Sequence, residues 1–559
     1  MSKAIVLSVI LGFLFHQFSF VNDAYGDALR HKSFLPDVVE ELDEERTSKA
    51  YTLNVFQPKI GEITLLNAVE IISYETGTKV TEVFRWIGTI FGILFVFYWV
   101  LFTNKYFEKG RLSNVILLLG IFSPFVQLFF GHVEIYAPAI TFTAITLMCL
   151  LLFIKEQRKL WGIVMLVCLF LAMKFHFVSV LMIPACALAW LLHWKEVRIS
   201  KWITWRRMWL FVMIPVIFIG IAAYIFVFKD YNDPRFLNGQ IDTSERLFLP
   251  VFSPEAPLDR YNLLSWNHLW DYFNMFFLWS VSGIFILVVA IARRGQVLWK
   301  HQGLVLITMT LLFYVGLFFM VNPLVSMPMD FDLFSLPAPV FVIFAALLLS
   351  QFKEEEFTVK MVIPILALSM ITIPIVATNQ SVEGASKRLE YLGRHTFKTY
   401  WIRSVETLRV GLEMDPENYE KRLLSNINKL KPYAIKGKDK EYANLLWRAG
   451  KLYRKSGQAQ EALKWHSLSQ EYFSGLDYNQ VGLVESYYLL GQYENALEES
   501  RELIKMKYPS KEKALNIAFD CAVQAKDATA IIAFGKRLQK LYPDNPYYSD
   551  TMRTFQNNQ

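Results

Sequence analysis

Through its first two thirds the chain alternates long apolar runs with short polar turns. A helix needs about twenty such residues to cross the hydrocarbon of a bilayer. Runs of this kind lie near 4–20, 84–103, 113–130, 136–154, 160–175, 177–194, 208–228, 273–292, 303–321, 337–352 and 361–378, which predicts about eleven spans. The stretch 160–194 is one apolar run interrupted by Lys174 and His176, and it reads as two spans joined by a tight turn. From Asn379 onward the long runs stop and the chain becomes rich in Lys and Glu. The expected fold is therefore all-α: a polytopic membrane bundle over 1–378, a linker over 379–435, and a water-soluble helical domain over 436–559.

The turns differ in charge. One alternating set carries Lys105, Lys109 and Arg111, then Lys155, Arg158 and Lys159, then Lys195, Arg198, Lys201, Arg206 and Arg207, then Arg293, Arg294 and Lys300. The other set carries Asp23 and Asp27, Glu134, Asp230 and Asp233, and Asp330 and Asp332. Lys and Arg are retained on the cytoplasmic side, so the second set faces outward. An odd number of spans from a cytoplasmic N-terminus puts the C-terminal domain outside as well. The first run also admits a signal-peptide reading, but its apolar core is long and Ala24-Tyr25-Gly26 is a poor cleavage site; cleavage would leave the sidedness of the rest unchanged.

Composition agrees with a membrane protein. Of 559 residues, 54% are hydrophobic, 16% are aromatic and 19% are charged. The net charge of +7 lies mostly in the inner turns, where topology accounts for it, so it does not point to nucleic acid. Cys149, Cys168 and Cys186 lie in apolar segments and Cys521 stands alone. No CxxC or metal-ligand spacing is present, which argues against disulfides and a structural zinc site.

Two outer segments, 21–83 and 229–272, are long. Ile63, Leu66, Val69 and Ile72, followed by Val80 and Val83, predict helices lying along the membrane surface. Leu263, Leu264, Trp266, Leu269, Trp270 and Phe273 predict another. The outer turns also gather ionisable residues. Asp23 and Asp27 fall one helical turn apart, on one face. His132 and Glu134 sit in the short turn Gly131-His132-Val133-Glu134-Ile135-Tyr136. Lys174 and His176 make a cationic turn suited to a phosphate, and Asp330 and Asp332 precede an apolar run. Each group alone also fits a helix cap or a solvated turn. Together they place charge at one depth, where a packed bundle can bring them to a single cavity.

These motifs resemble the GT-C superfamily of membrane glycosyltransferases over residues 1–378. Asn22-Asp23-Ala24-Tyr25-Gly26-Asp27 is similar to its first acidic motif, and the Gly131–Tyr136 turn to its next-loop acid. Asp330-Phe331-Asp332-Leu333-Phe334 is similar to an Asp-aromatic-Asp-Leu-Phe pattern of bacterial members. The resemblance implies sugar transfer from a polyprenyl-phosphate carrier to a glycan, lipid or protein acceptor on the outer side of the plasma membrane. It implies Asp23 as base, with Asp27 or Glu134 positioning the acceptor. His132, Lys174, His176, Asp330 and Asp332 would serve substrate and lipid phosphate. No cofactor is required, although the acids could hold a divalent metal.

The C-terminal domain repeats. Tyr453 and Tyr487, Gly457 and Gly491, Ala462 and Ala496, and Leu463 and Leu497 are each 34 apart; the register continues to Ala530 and Ile531, and Pro509 pairs with Pro543. That period, with small residues at the helix crossing, resembles the tetratricopeptide repeat. Leu412-Glu413-Met414-Asp415-Pro416 is similar to the end of an earlier, degenerate copy. Such repeats bind proteins or peptides. Two other functions compete with the enzyme: a non-catalytic scaffold organising an envelope complex, and a transporter. Transporters place ionisable groups near the bilayer midplane, where these spans have almost none.

Overall fold

The computed structural model describes residues 2–21, 60–194, 248–252, 258–293, 301–323, 326–352, 359–400, 404–505 and 511–557. The described residues are helical and form no strand; Phe248 and Val321 make an isolated bridge. The chain divides into two compact units, Met1–Arg388 and Leu389–Gln559.

In the first unit five helices are long and apolar enough to cross a bilayer: Val80–Tyr106, Tyr136–Glu156, Trp266–Ala292, Gln302–Met320 and Val359–Gln380. Tyr136–Glu156 is the most enclosed and packs against Val80–Tyr106, Lys159–Phe175 and Ala338–Leu349. Large apolar side chains on the outer helices, among them Ile90, Ile163, Val167, Val288 and Ile363, are exposed. A patch of that kind is costly in water at about 25 cal/mol per Å² and is satisfied by lipid.

Proline and serine decide where apolar runs stop being helix. The run near 113–130 splits into a helix Arg111–Ile121 and a 3₁₀ turn Pro124–Phe129, because Ser123 is extended and Pro124 has no N–H to donate. The run near 177–194 begins as a 3₁₀ turn, Phe177–Met182, and is α-helical only over Ile183–Trp194. The last run is broken at Met370–Ile371 into Val359–Ser369 and Thr372–Gln380. The run near 208–228 lies outside the described residues.

Two expected surface helices differ from the sequence reading. Ile60–Thr76 is a helix, but Val80 and Val83 begin the long Val80–Tyr106 helix instead of continuing the surface pattern. Trp266, Leu269, Trp270 and Phe273 likewise belong to the Trp266–Ala292 helix, which bends at Ser280 (φ −172°, ψ 109°). Helical spacing alone cannot separate a surface helix from the first turns of a span, since both repeat every 3.6 residues.

Gly61 sits where the Ile60–Thr76 helix meets the end of Lys159–Phe175. A Cβ there would lie 2.7 Å from the Lys174 carbonyl oxygen and 3.0 Å from the Phe175 nitrogen. Both are backbone atoms, so no side-chain rotation relieves the clash. Gly61→Val is expected to destabilise the first unit by about 1–3 kcal/mol, read as a lower melting temperature of the purified protein in detergent. An unchanged melting temperature would mean that these helices do not pack this closely.

The second unit is a row of helix pairs: Ser404–Glu413 with Tyr419–Leu430, Lys440–Lys455 with Ala459–Tyr472, Asp477–Leu489 with Tyr493–Lys505, and Lys511–Gln524 with Ala528–Leu541. From Lys440–Lys455 onward each helix packs chiefly on its neighbours in the row, and Ser404–Glu413 packs on both Tyr419–Leu430 and Lys440–Lys455. The two turns holding Gly457 (φ +77°) and Gly491 (φ +71°) close identically. Gln458 N–H donates to the Tyr453 carbonyl at 2.9 Å, and Gln492 N–H to that of Tyr487 at 3.0 Å. In the third copy Lys526 (φ +55°) takes the left-handed position and Ile531, not Ala530, bonds back to the cap residue as Ala462 and Ala496 do. That turn closes as the other two do, Asp527 N–H donating to the Ala522 carbonyl at 3.0 Å, so the one-residue slip in the 34-residue period arises before it. Leu412–Pro416 closes the Ser404–Glu413 helix and leads into Tyr419–Leu430. All four cysteines are free and buried.

Candidate functional site

The Gly131–Tyr136 turn is the centre of the site. Gly131 has φ +73°, and a Cβ on it would meet Arg85 Cγ at 2.7 Å and Ser19 Cβ at 2.8 Å. Glycine therefore satisfies both the left-handed backbone and the close approach. The end of the first helix lies alongside: Phe20 N–H donates to the Phe130 carbonyl at 2.8 Å, and Val21 N–H to that of Asn379 at 3.0 Å. Arg85 holds this segment by donating to the Phe20 carbonyl at 3.1 Å while pairing with Glu82 at 3.0 Å. Val133 is buried with Val69, Val83 and Phe84, so the Ile60–Thr76 helix packs over the turn.

The loop before Ala338–Leu349 comes to the same place. Asp332 is fully buried, and its Oδ2 lies 2.9 Å from His132 Nε2 across 200 residues of sequence. Its Oδ1 accepts the Leu333 N–H at 3.0 Å. An ionised carboxylate only accepts, so in this contact His132 Nε2 is the donor. Phe20 and Phe331 enclose the imidazole, with ring centroids at 6.2 and 5.3 Å. Glu134 is also buried, and its Oε2 accepts the Ile135 N–H at 3.3 Å.

Of the residues expected to meet, His132 and Asp332 are in direct contact and Glu134 shares the turn. His176 is joined to that turn through Tyr136, at 5.6 Å between centroids, and its Nδ1 accepts the Val178 N–H at 3.4 Å. Lys174 is half-buried with its ammonium 5.4 Å from the Phe170 ring centroid. Asp330 is half-buried, and its carbonyl accepts the Phe334 N–H at 3.2 Å. Asp23 and Asp27 lie outside the described residues. Among the described residues no three His, Cys, Asp or Glu side chains group as metal ligands.

Four polar residues of this region escape sequence reasoning. Glu70 is buried on the Ile60–Thr76 helix beside Val69. Its signal is an acid inside the apolar run Ala68-Val69-Glu70-Ile71-Ile72. Arg85, opposite Gly131, is the second. Gln127 in the 3₁₀ turn is fully buried, with neither amide atom partnered among the described residues. A group in that state calls for a water or a ligand oxygen. Finally, Tyr261 donates to Asp271 at 3.1 Å near the start of the Trp266–Ala292 helix.

The arrangement therefore sets an imidazole against one buried carboxylate, with a second buried carboxylate on the same turn. No protein-family model matches the chain, and no curated protein matches it.

Proposed function

We propose that this chain is an integral membrane glycosyltransferase of GT-C type. It transfers a sugar from a polyprenyl-phosphate carrier to an acceptor on the outer face of the plasma membrane. The C-terminal unit is a tetratricopeptide-like domain on the same side. The observation that carries the reading is the buried His132–Asp332 pair at 2.9 Å, which joins two of the motifs on which the family resemblance rests. The helix pairs with matching turns at Gly457 and Gly491 support the repeat reading.

In the proposed reaction the acceptor hydroxyl oxygen forms a bond to the anomeric carbon as the bond from that carbon to the carrier phosphate breaks. A carboxylate takes the hydroxyl proton, Asp23 being the candidate on the resemblance, and Glu134 orients the acceptor. His132, positioned by Asp332, binds the substrate. Lys174 and His176 offset negative charge on the departing lipid phosphate.

The test is glycan profiling of cells carrying His132→Ala or Asp23→Asn at normal expression, with extraction of lipid-linked sugars. Loss of one glycan with accumulation of its lipid-linked donor is expected. Normal glycan output from both variants would sink the catalytic assignment. The second reading, a scaffold, is favoured by one feature: Glu134, His176 and Asp332 each accept a local backbone N–H, as structural caps do. A scaffold would lose its partner assembly on deletion of the repeats while these two substitutions had no effect.

A further inference from the structure

The first helices of three successive pairs in the second unit line a cavity of about 310 Å³. Lys440–Lys455 contributes Arg454; Asp477–Leu489 contributes Glu485, Tyr488 and Leu489; Lys511–Gln524 contributes Ile517 and Asp520. Tyr488, Leu489 and Ile517 make an apolar floor, and Leu489 is 58% exposed. Two of the three charges cancel, because Arg454 is ion-paired to Glu485.

Asp520 is the charge left over. It makes no ion pair among the described residues, and its hydrogen-bond partner is the Tyr547 hydroxyl. Its surface is open to solvent, yet the groups crowding it push its carboxyl above the usual range through lost hydration. Tyr488 and Tyr547 both lie close enough to sense its charge. A carboxylate with two aromatic rings beside it and an apolar floor next to it suits a cation carried on a hydrocarbon stem. The carboxylate meets the charge, and the ring faces attract it further. Lysine and arginine have that form, with an apolar stem and a charged head. An anionic ligand would meet an uncompensated carboxylate.

We propose that this cavity takes a Lys or Arg side chain, next to an apolar residue, from an extended segment of a partner protein. The proposal rests on reading the unit as a peptide-docking repeat domain. The neutralised Arg454–Glu485 pair supplies hydrogen-bonding groups without net charge, so discrimination falls to Asp520.

The probe is a set of fluorescent nonapeptides, uncharged but for one central position, with Leu two residues away. The central residue is Lys, Arg, Met or Glu. Binding to the full-length protein in detergent is read by fluorescence polarisation. The Lys and Arg peptides are expected to bind roughly fivefold tighter than the Met peptide, and the Glu peptide most weakly. Asp520→Asn is expected to erase that preference while the Met peptide binds as before, with helix content and melting temperature unchanged. A preference that survives Asp520→Asn, or tightest binding of the Glu peptide, overturns the cation assignment and leaves peptide docking standing. No binding of any peptide to folded protein overturns the docking reading itself.

Discussion

Asp332→Leu is expected to cost the first unit about 3–5 kcal/mol of stability and, on the proposed function, to abolish sugar transfer. Asp332 is fully buried and His132 nearly so, and each is the other's partner at 2.9 Å. Removing the carboxylate leaves a buried imidazole N–H without its acceptor and the Leu333 N–H uncapped. The second substitution makes the result informative. Replacing both residues, in His132→Leu with Asp332→Leu, removes the unpaired donor and restores an apolar contact. The double variant should recover much of the lost stability, because both partners of a buried polar pair can often be replaced by hydrophobic groups. Sugar transfer should stay lost in both. Melting temperature and glycan output, measured on the same preparations, separate the two roles. If the double variant is no more stable than the single one, the residues are not coupled. If either variant is folded and transfers sugar at the normal rate, the pair has no part in the chemistry.

Acidification from pH 7 to 4 is expected to remove about 3 kcal/mol from the second unit through His466 alone. His466 is fully buried in a slot between two glycines. A Cβ on Gly450 or on Gly482 would lie 2.7 Å or 2.3 Å from its ring. Its Nδ1 faces Asn479 Oδ1 at 2.9 Å, and its Nε2 has no partner among the described residues. Burial, opposed by the Asn479 hydrogen bond and aided by the nearby Arg454 charge, pulls its pKa from the ordinary 6.5 down to about 4. The unfolded chain therefore takes up a proton as pH falls through 6.5, while the folded chain does not until about 4. Stability from this group is fully present above 6.5, drains away between 6.5 and 4, and changes no further below that.

Other groups of the unit also titrate. Burial raises Glu441 and Asp520, which favours the folded state on acidification. Glu390 is held low: burial opposes this, but hydrogen bonds from Arg422 and Asn426 and the Arg422 and Arg394 charges outweigh it. Its contribution is lost as pH falls. The comparison is therefore between wild type and His466→Gln, by thermal melts followed through helix content. The difference between the two curves should shrink steadily from pH 6.5 to 4. A difference independent of pH would mean that the ring is not held neutral.

What the sequence determined was set by local periodicity. Runs of apolar residues marked the five described helices that are long and apolar enough to cross lipid, because that test depends on length and hydropathy. The 34-residue spacing of Tyr453 with Tyr487 and Gly457 with Gly491 marked paired helices and their turns, because a left-handed turn at a helix end favours glycine wherever it recurs. His132 and Asp332 could each be singled out as ionisable residues in turns beside apolar runs. Where helices begin and end was less legible: Ser123, Ser280 and Met370 break or bend apolar stretches that are continuous in hydropathy. The one-residue slip ahead of the third turn, which moves Ile531 into the place expected for Ala530, is likewise absent from the count of spacings.

Only the tertiary structure decided partners. It brought His132 against Asp332, set Arg85 behind Gly131, buried Glu70 and Gln127, and left Asp520 without a cation among its described neighbours. Helical periodicity fixes which face of an element is apolar, but the contact between two side chains depends on where separate elements cross, and the energy of a buried charge depends on that crossing.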